Sequence, residues 1–451
     1  MNIIIVGCGR VGETLAADLG DEGNNITVVD LSSDRIKAIT SKLDVMGVIG
    51  NGATYSVLKE AGIGSADLLI AVTNSDELNL LCCLIAKKHS RCKVIAKVQN
   101  PEYSSESSYL KEELELAMVI NPEYAAAEEI ARLLRFPAAT RIETFAKGRV
   151  ELVKFRLTED STLVGMSVRD IVKKLKCDVL ICTIERGGEA HIAKADFVFE
   201  PSDVISVVSS PKKTSNFFKK IGYSNHSVKD AIIVGASEVS QYLCDILEKS
   251  GIAVKLIEHD LKKCEEISAA HEFVTVINGD GTDQQLLIEE GIKSTDAFVA
   301  LSDDDEENIL NSLFATSIEK SKVVTKINKP EYDNITSRLN LDTVIFPKRI
   351  TADMIARFVR SLKSTTSSNV ETMYNFIPGE VEATEFVIGE GAPVTGVPIA
   401  ELLFKPDVLI AAILRGKSVI IPRGQDKIQP GDSVVVVTKL LGLHDIADIL
   451  L

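Results

Sequence analysis

A chain of 451 residues is too long for one hydrophobic core and calls for about three or four domains of ordinary size. Its 45% hydrophobic and 25% charged residues make a normal globular balance, and a net charge of −15 with no offsetting basic stretch argues against a nucleic-acid partner. No apolar run reaches the roughly 18 residues of a membrane span, the first residues read as a core strand and not a signal peptide, and the eight cysteines show neither a CxxC pair nor a histidine at zinc-ligand spacing. The expectation is a cytoplasmic chain without a metal, its cysteines acting as small buried hydrophobes.

Taken in order, residues 2–6 read as a buried strand, Gly7-Cys8-Gly9-Arg10-Val11-Gly12 as a tight turn and 13–19 as a helix. A second apolar run, 26–29, ends at Asp30. Strand, Gly-x-Gly-x-x-Gly, helix, strand and acid is the layout of a dinucleotide-binding βαβ unit. Gly7 permits the turn, Gly9 lets the backbone approach a pyrophosphate, and Gly12 lets helix and strand pack closely. The helix start supplies free N–H groups and a positive dipole end, and Asp30 is placed to accept from a ribose diol.

Further short β-rich runs follow at 45–49, 67–73, 93–98 and 117–120, alternating with helical segments. That alternation predicts a parallel sheet covered by helices. Asn51, between Gly50 and Gly52, faces either an adenine or only its own turn. Thr73 and Asn74 end a buried strand at the edge where such sheets bind ligands, although Asn74, Ser75 or Asp76 also suits a helix cap. Lys97 ends the next strand, where it meets either a pyrophosphate or a surface carboxylate. After Pro122, apolar residues recur at helical spacing through Leu134.

From about residue 140 the character changes to alternating strands at 150–155, 179–184 and 204–208, a small α+β unit. The lysine-rich 213–228 stretch reads as a linker. Then everything recurs. Gly235 follows its strand as Gly7 does, and Glu258 stands where Asp30 does, both at an offset of 228. Gly279-Asp280-Gly281, Ser302-Asp303 and Lys326 answer Gly50-Asn51-Gly52, Thr73-Asn74 and Lys97 at an offset of 229, and Pro347 answers Pro122 at 225. Agreement at so many landmarks signals duplication. The predicted units are 1–136 and 229–362, two Rossmann-like parallel-sheet domains, and 137–212 and 363–451, a small α+β domain after each. A polar tract over 364–369 reads as a second hinge.

The second copy is degenerate. Gly235-Ala236-Ser237-Glu238-Val239-Ser240 keeps the first glycine and puts serines at the other two positions. Ser237 crowds a pyrophosphate's approach and Glu238 adds a negative charge near it. Gly235, Ser237, Glu258, Asp280, Ser302 and Lys326 therefore make a weaker candidate site than the first.

On these motifs, together with Ala71-Val72-Thr73-Asn74-Ser75-Asp76-Glu77 and Lys97 followed by Pro101-Glu102, the whole chain resembles the TrkA family. These are regulatory subunits of Trk-type potassium uptake systems built of duplicated RCK (KTN) domains. The resemblance implies NAD(H) or ATP/ADP at the corresponding positions, a homo-oligomeric gating ring (dimer or tetramer) with exchanged crossover helices, and a Trk-type membrane potassium transporter as partner. Lys97 departs from the arginine often found there, which loosens a bidentate grip on phosphate. No catalytic residue is expected. The six histidines fall in unmatched contexts, and no Ser/His/Asp spacing or Gly-Lys-Ser/Thr phosphate loop occurs. The alternative is an NAD-dependent oxidoreductase, which would need a positioned acid or base.

Overall fold

The computed structural model describes every residue except 147, 224–227, 319–320, 330–331, 337, 340, 342, 363–367 and 378–379. Its first sheet contains β1 (Asn2–Val6), β2 (Asn25–Asp30), β3 (Met46–Ile49), β4 (Leu68–Ala71), β5 (Lys93–Lys97) and β6 (Met118–Ile120). All five neighbouring pairs are parallel, in the order β3-β2-β1-β4-β5-β6. All six lie on the expected apolar runs. Residues 3–6 and 68–71 are buried throughout, as strands covered on both faces must be. The order reverses between β1 and β4, which opens a crevice beyond their carboxyl ends.

The first small sheet holds β7 (Ala139–Phe145), β8 (Val150–Arg156), β9 (Leu180–Arg186), β10 (Glu189–Ile192) and β11 (Val204–Ser209), ordered β10-β9-β11-β8-β7 and antiparallel. Three of its five strands are the expected ones; β7 and β10 were not expected. The second half repeats the plan. Strands β12 (Asp230–Val234), β13 (Ala253–Glu258), β14 (Val274–Asn278), β15 (Ala297–Ala300), β16 (Lys322–Lys326) and β17 (Thr343–Ile345) form a parallel sheet of order β14-β13-β12-β15-β16-β17. Strands β18 (Ser368–Ile377), β19 (Val381–Ile388), β20 (Val408–Arg415), β21 (Ser418–Ile420) and β22 (Ser433–Thr438) form the second small sheet.

One expectation is corrected and another falls mostly outside the described residues. The predicted linker over 213–228 begins inside a helix, Pro211–Lys220, whose Phe217 and Phe218 are buried against Phe155. Its lysines lie on the other side of an amphipathic helix, so charge hid an apolar face. The predicted hinge over 364–369 lies mostly outside the described residues, and Ser368 already belongs to β18, its hydroxyl accepting from the Ile446 N–H at 2.9 Å.

The halves hold each other by exchanging helices within the one chain. The first crossover helix, Pro122–Arg135, starts with Pro at its first position and with the Asn121 side chain accepting from the Tyr124 N–H at 2.8 Å. Its stripe of Ala126, Ala127, Ile130, Leu133 and Leu134 packs against Val239, Leu243 and Leu247 of the helix Glu238–Lys249. Reciprocally, the second crossover helix, Pro347–Ser361, sends Ala352, Ile355, Ala356 and Val359 into the first half's core beside Leu15 and Leu19. Each fully buried leucine, isoleucine or valine among them contributes about 1.5–3 kcal/mol. The two small sheets also share a core, in which Tyr374 stacks edge-on against Phe145 at 4.9 Å and donates to the Thr144 carbonyl at 2.7 Å.

Candidate nucleotide site

The first glycine loop turns at the end of β1. Gly7 has φ +105°, and a Cβ there would stand 2.9 Å from the Val72 carbonyl and the Thr73 nitrogen, so both conformation and the approach of β4 require glycine. A Cβ on Gly12 would lie 1.9 Å from the Gly7 carbonyl oxygen, which fixes close contact between the turn and the helix Arg10–Asp21. Beside Gly9 the space is open to at least 4 Å. That is the cradle a phosphate group would need: bare backbone at a helix N-terminus with room in front of it.

Asp30, at the tip of β2, ties the loop in place. One carboxylate oxygen accepts from the Cys8 N–H at 2.7 Å and the other from the Ser32 N–H at 2.8 Å. A carboxylate has about four acceptor positions, so this leaves capacity for a diol. Cys8 itself is no nucleophile, because burial first and the Asp30 charge second push its thiol up to about 12.

The strand ends beyond the loop are organised by a buried asparagine. Asn79 accepts from the Thr73 N–H at 2.8 Å and the Thr73 hydroxyl at 2.7 Å, and donates to the Lys97 carbonyl at 2.9 Å. Thr73 is thus committed to Asn79, whereas Asn74 is exposed at the crevice. Ser75 is the helix cap, accepting from the Leu78 N–H at 3.2 Å. Asp76 accepts from the Gln99 and Asn100 N–H groups at 2.9 and 2.8 Å, a bracing role. Asn51 is exposed and accepts from the Ala53 N–H at 2.9 Å, the turn geometry. Gly52 brings that turn back over β1, since its Cβ would stand 2.3 Å from Val6.

Lys97 is only 6% exposed, which disposes of the surface-carboxylate reading. Burial lowers its pKa, opposed by Glu123, Asp76 and Glu238. Glu238 belongs to the second glycine loop, so the first half's strand end faces the other half's loop. The reverse holds too: Arg10 of the first loop donates to the Asn328 carbonyl at 3.0 Å. Glu123 and Lys348, at matching positions of the crossover helices, complete these two junctions. Neither stands out in sequence, because only the exchange of helices brings them to a glycine loop. Their one sequence signal is that each follows the matched proline.

The second loop has the same backbone and different contents. Gly235 has φ +98°, and Glu258 accepts from the Ala236 N–H at 2.7 Å and the Asp260 N–H at 2.9 Å, as Asp30 does from Cys8 and Ser32. Asn308 repeats Asn79, accepting from the Ser302 N–H at 2.9 Å and donating to the Lys326 carbonyl at 3.1 Å. At the Gly9 and Gly12 positions, however, the Ser237 and Ser240 hydroxyls lie 3.0 Å apart, and Ser240 donates to the Gly235 carbonyl at 2.5 Å. Lys326 pairs with Asp303 at 3.2 Å, and Asp280 accepts from the Thr282 N–H at 2.8 Å in its own turn.

The TrkA-N domain matches residues 3–122 and again 231–347, and the TrkA-C domain matches 152–222 and 383–451. The chain is 32% identical over 452 residues to a Trk system potassium uptake protein TrkA homolog of Archaeoglobus fulgidus, spanning 100% of both chains. It is 31% identical over 442 residues to the Trk system potassium uptake protein TrkA of Haemophilus influenzae, spanning 97% of this chain and 95% of that one. Among solved structures it is similar to a GsuK channel bound to NAD, with TM-score 0.64, 17% identity, and coverage of 97% of this chain and 76% of that chain. The GsuK RCK domain gives TM-score 0.63 at 17% identity, covering 97% of this chain and 92% of that chain. Identity this low speaks for the fold alone.

Proposed function

We propose that this chain, which belongs to the TrkA family along its whole length, is a nucleotide-sensing regulatory subunit of a potassium uptake system. The observation that carries the reading is the first glycine loop: open beside Gly9, held by Asp30, and set in a chain whose full-length relatives bear the name of potassium uptake proteins. A GsuK structure holds NAD and another holds ADP, which supports NAD(H) or ATP/ADP as the ligand here.

Gly7 through Gly12 would hold the phosphates, Asp30 the ribose, and Asn74 and Lys97 the far side of the crevice. Gly235, Ser237, Glu258, Asp280, Ser302 and Lys326 form the second, weaker site. No reaction is assigned to either. The helix Arg10–Asp21 begins in the first loop and packs on the second crossover helix, so a ligand that shifts the loop moves both halves together. Arg10, which crosses to Asn328, reports the loop's position to the second half directly.

A ligand shifts such an equilibrium only by its preference for one state. Moving it from 1:99 to 99:1 needs about 5.5 kcal/mol. Several copies in a homo-oligomeric ring reach that at one or two kcal/mol each, roughly. Among the described residues no helix is long and apolar enough to cross a membrane, so ions would pass through the partner, a Trk-type transporter met at the cytoplasmic face. Calorimetric titration of the purified chain with NADH, ATP and ADP tests the reading. Binding of at least one is expected, and silence from all three sinks it.

A further inference from the structure

The two crossover junctions are related by the internal repeat, yet one is closed and the other hollow. Where the first crossover helix meets the second loop's helix, Tyr124 and Tyr242 pack edge to face at 5.5 Å. The Tyr242 hydroxyl there is held by the Asn121 amide at 3.0 Å, and Ile246 packs behind it. At the matching positions of the other junction stand Arg349, Thr14 and Asp18. Losing two rings and an isoleucine leaves a cavity of about 570 Å³ between the helix Arg10–Asp21, the second crossover helix and β18. Its size is that of a small-molecule pocket.

Six cationic and four acidic side chains line it. Arg360 is paired with Glu22 across the gap, Arg141 is paired with Glu143 at 2.6 Å, and Arg357 lies over the Tyr374 ring at 4.4 Å. The two signs are not equivalent where burial penalises charge. Arginines keep their charge in any protein environment. Burial, by contrast, is the largest cause raising both the Asp18 and the Asp353 carboxyls, with Asp353's own charge second at Asp18. Lys348 is lowered by burial and then by the like charge of Arg10. The cavity therefore favours added negative charge.

We propose that this cavity, which adjoins the first glycine loop at Arg10, is a further ligand site that takes a small multiply charged anion bearing phosphate or carboxylate groups against Arg349 and Arg357. Such a ligand bridges the helix that starts in the first glycine loop and the crossover helix of the other half, and so is placed to bias the same rearrangement as the nucleotide.

The test uses the full chain and two probes, pyrophosphate and citrate, titrated calorimetrically. Binding of at least one is expected, and which one binds identifies the anion's chemistry. The double variant T14Y/R349Y installs the tyrosine pair of the closed junction and should weaken that binding at least tenfold. Arg349→Ala, at an exposed position, should weaken it too, and serves if the double variant melts early. Failure of both probes to bind overturns the proposal. So does binding unchanged in these variants, which would place the anion at the glycine loop instead.

Discussion

The two halves share a backbone and differ in what fills it. Each glycine loop turns through a positive-φ glycine, each is held by an acid at the tip of the second strand, and each faces a crossover helix from the other half. In the first, glycines leave the loop bare; in the second, two serine hydroxyls bond within it. At the junctions the asymmetry runs the same way, the first loop's helix lining a cavity and the second's packing on tyrosine. Duplication thus preserved the scaffold, because main-chain hydrogen bonds and apolar stripes demand it. Side chains at the loops were left free to diverge.

The comparison can be broken most forcefully at the exchanged helices. Ile355→Ala, in the second crossover helix, removes a fully buried side chain and should cost about 2–5 kcal/mol. Hydrogen exchange should show the loss in β1 of the first half, where Ile355 packs. Loss of protection confined to β12 would mean that the helix belongs to its own half.

Gly12→Val should come next. Its side chain would meet the Gly7 carbonyl, and NADH affinity should fall by about 100-fold or roughly 2.7 kcal/mol. Ser240→Val at the matched position should leave the main binding event in place. Asp30→Ala should cost about tenfold, near 1.4 kcal/mol, through lost ribose contacts and a loosened Cys8 N–H. Glu258→Ala is expected to cost less, and an equal loss would show that the two sites are equivalent.

The smallest effect is a pH dependence. Burial first, then the charge of Glu143, push Glu129 in the first crossover helix up to about 7 against the pull of Arg132, Arg141 and Arg357. With its folded pKa above the unfolded 4.5, its contribution to stability is full below pH 4.5 and is lost as pH rises to about 7. Melting temperature followed across that window should fall less steeply in Glu129→Gln. An unchanged slope would assign the titration elsewhere.

Much of the fold could be read from local pattern. All six strands of the first sheet fall on their apolar runs, because strands buried on both faces need continuous hydrophobicity. The extra strands of the small sheets did not show. In β7, Thr140, Arg141, Glu143 and Thr144 interrupt the apolar run, and β10 is only four residues long. The helix Pro211–Lys220 was hidden because four lysines outweighed two phenylalanines in a short polar stretch. At the site, the glycines and the acid were legible as a spaced motif. Glu123 and Lys348 were not, since only the exchanged helices bring them to a glycine loop, and Asn79 was not, since its role needs two neighbouring strand ends, at Thr73 and Lys97, brought side by side.

By itself the sequence determined the duplication, the parallel sheets, and the difference between a bare glycine loop and one carrying serines. Those follow from residue type and spacing, which act locally. Only the tertiary structure decided that each crossover helix covers the other half, because its apolar stripe would suit either neighbour. That choice set which charges meet across the junction, and it left one junction closed and the other open.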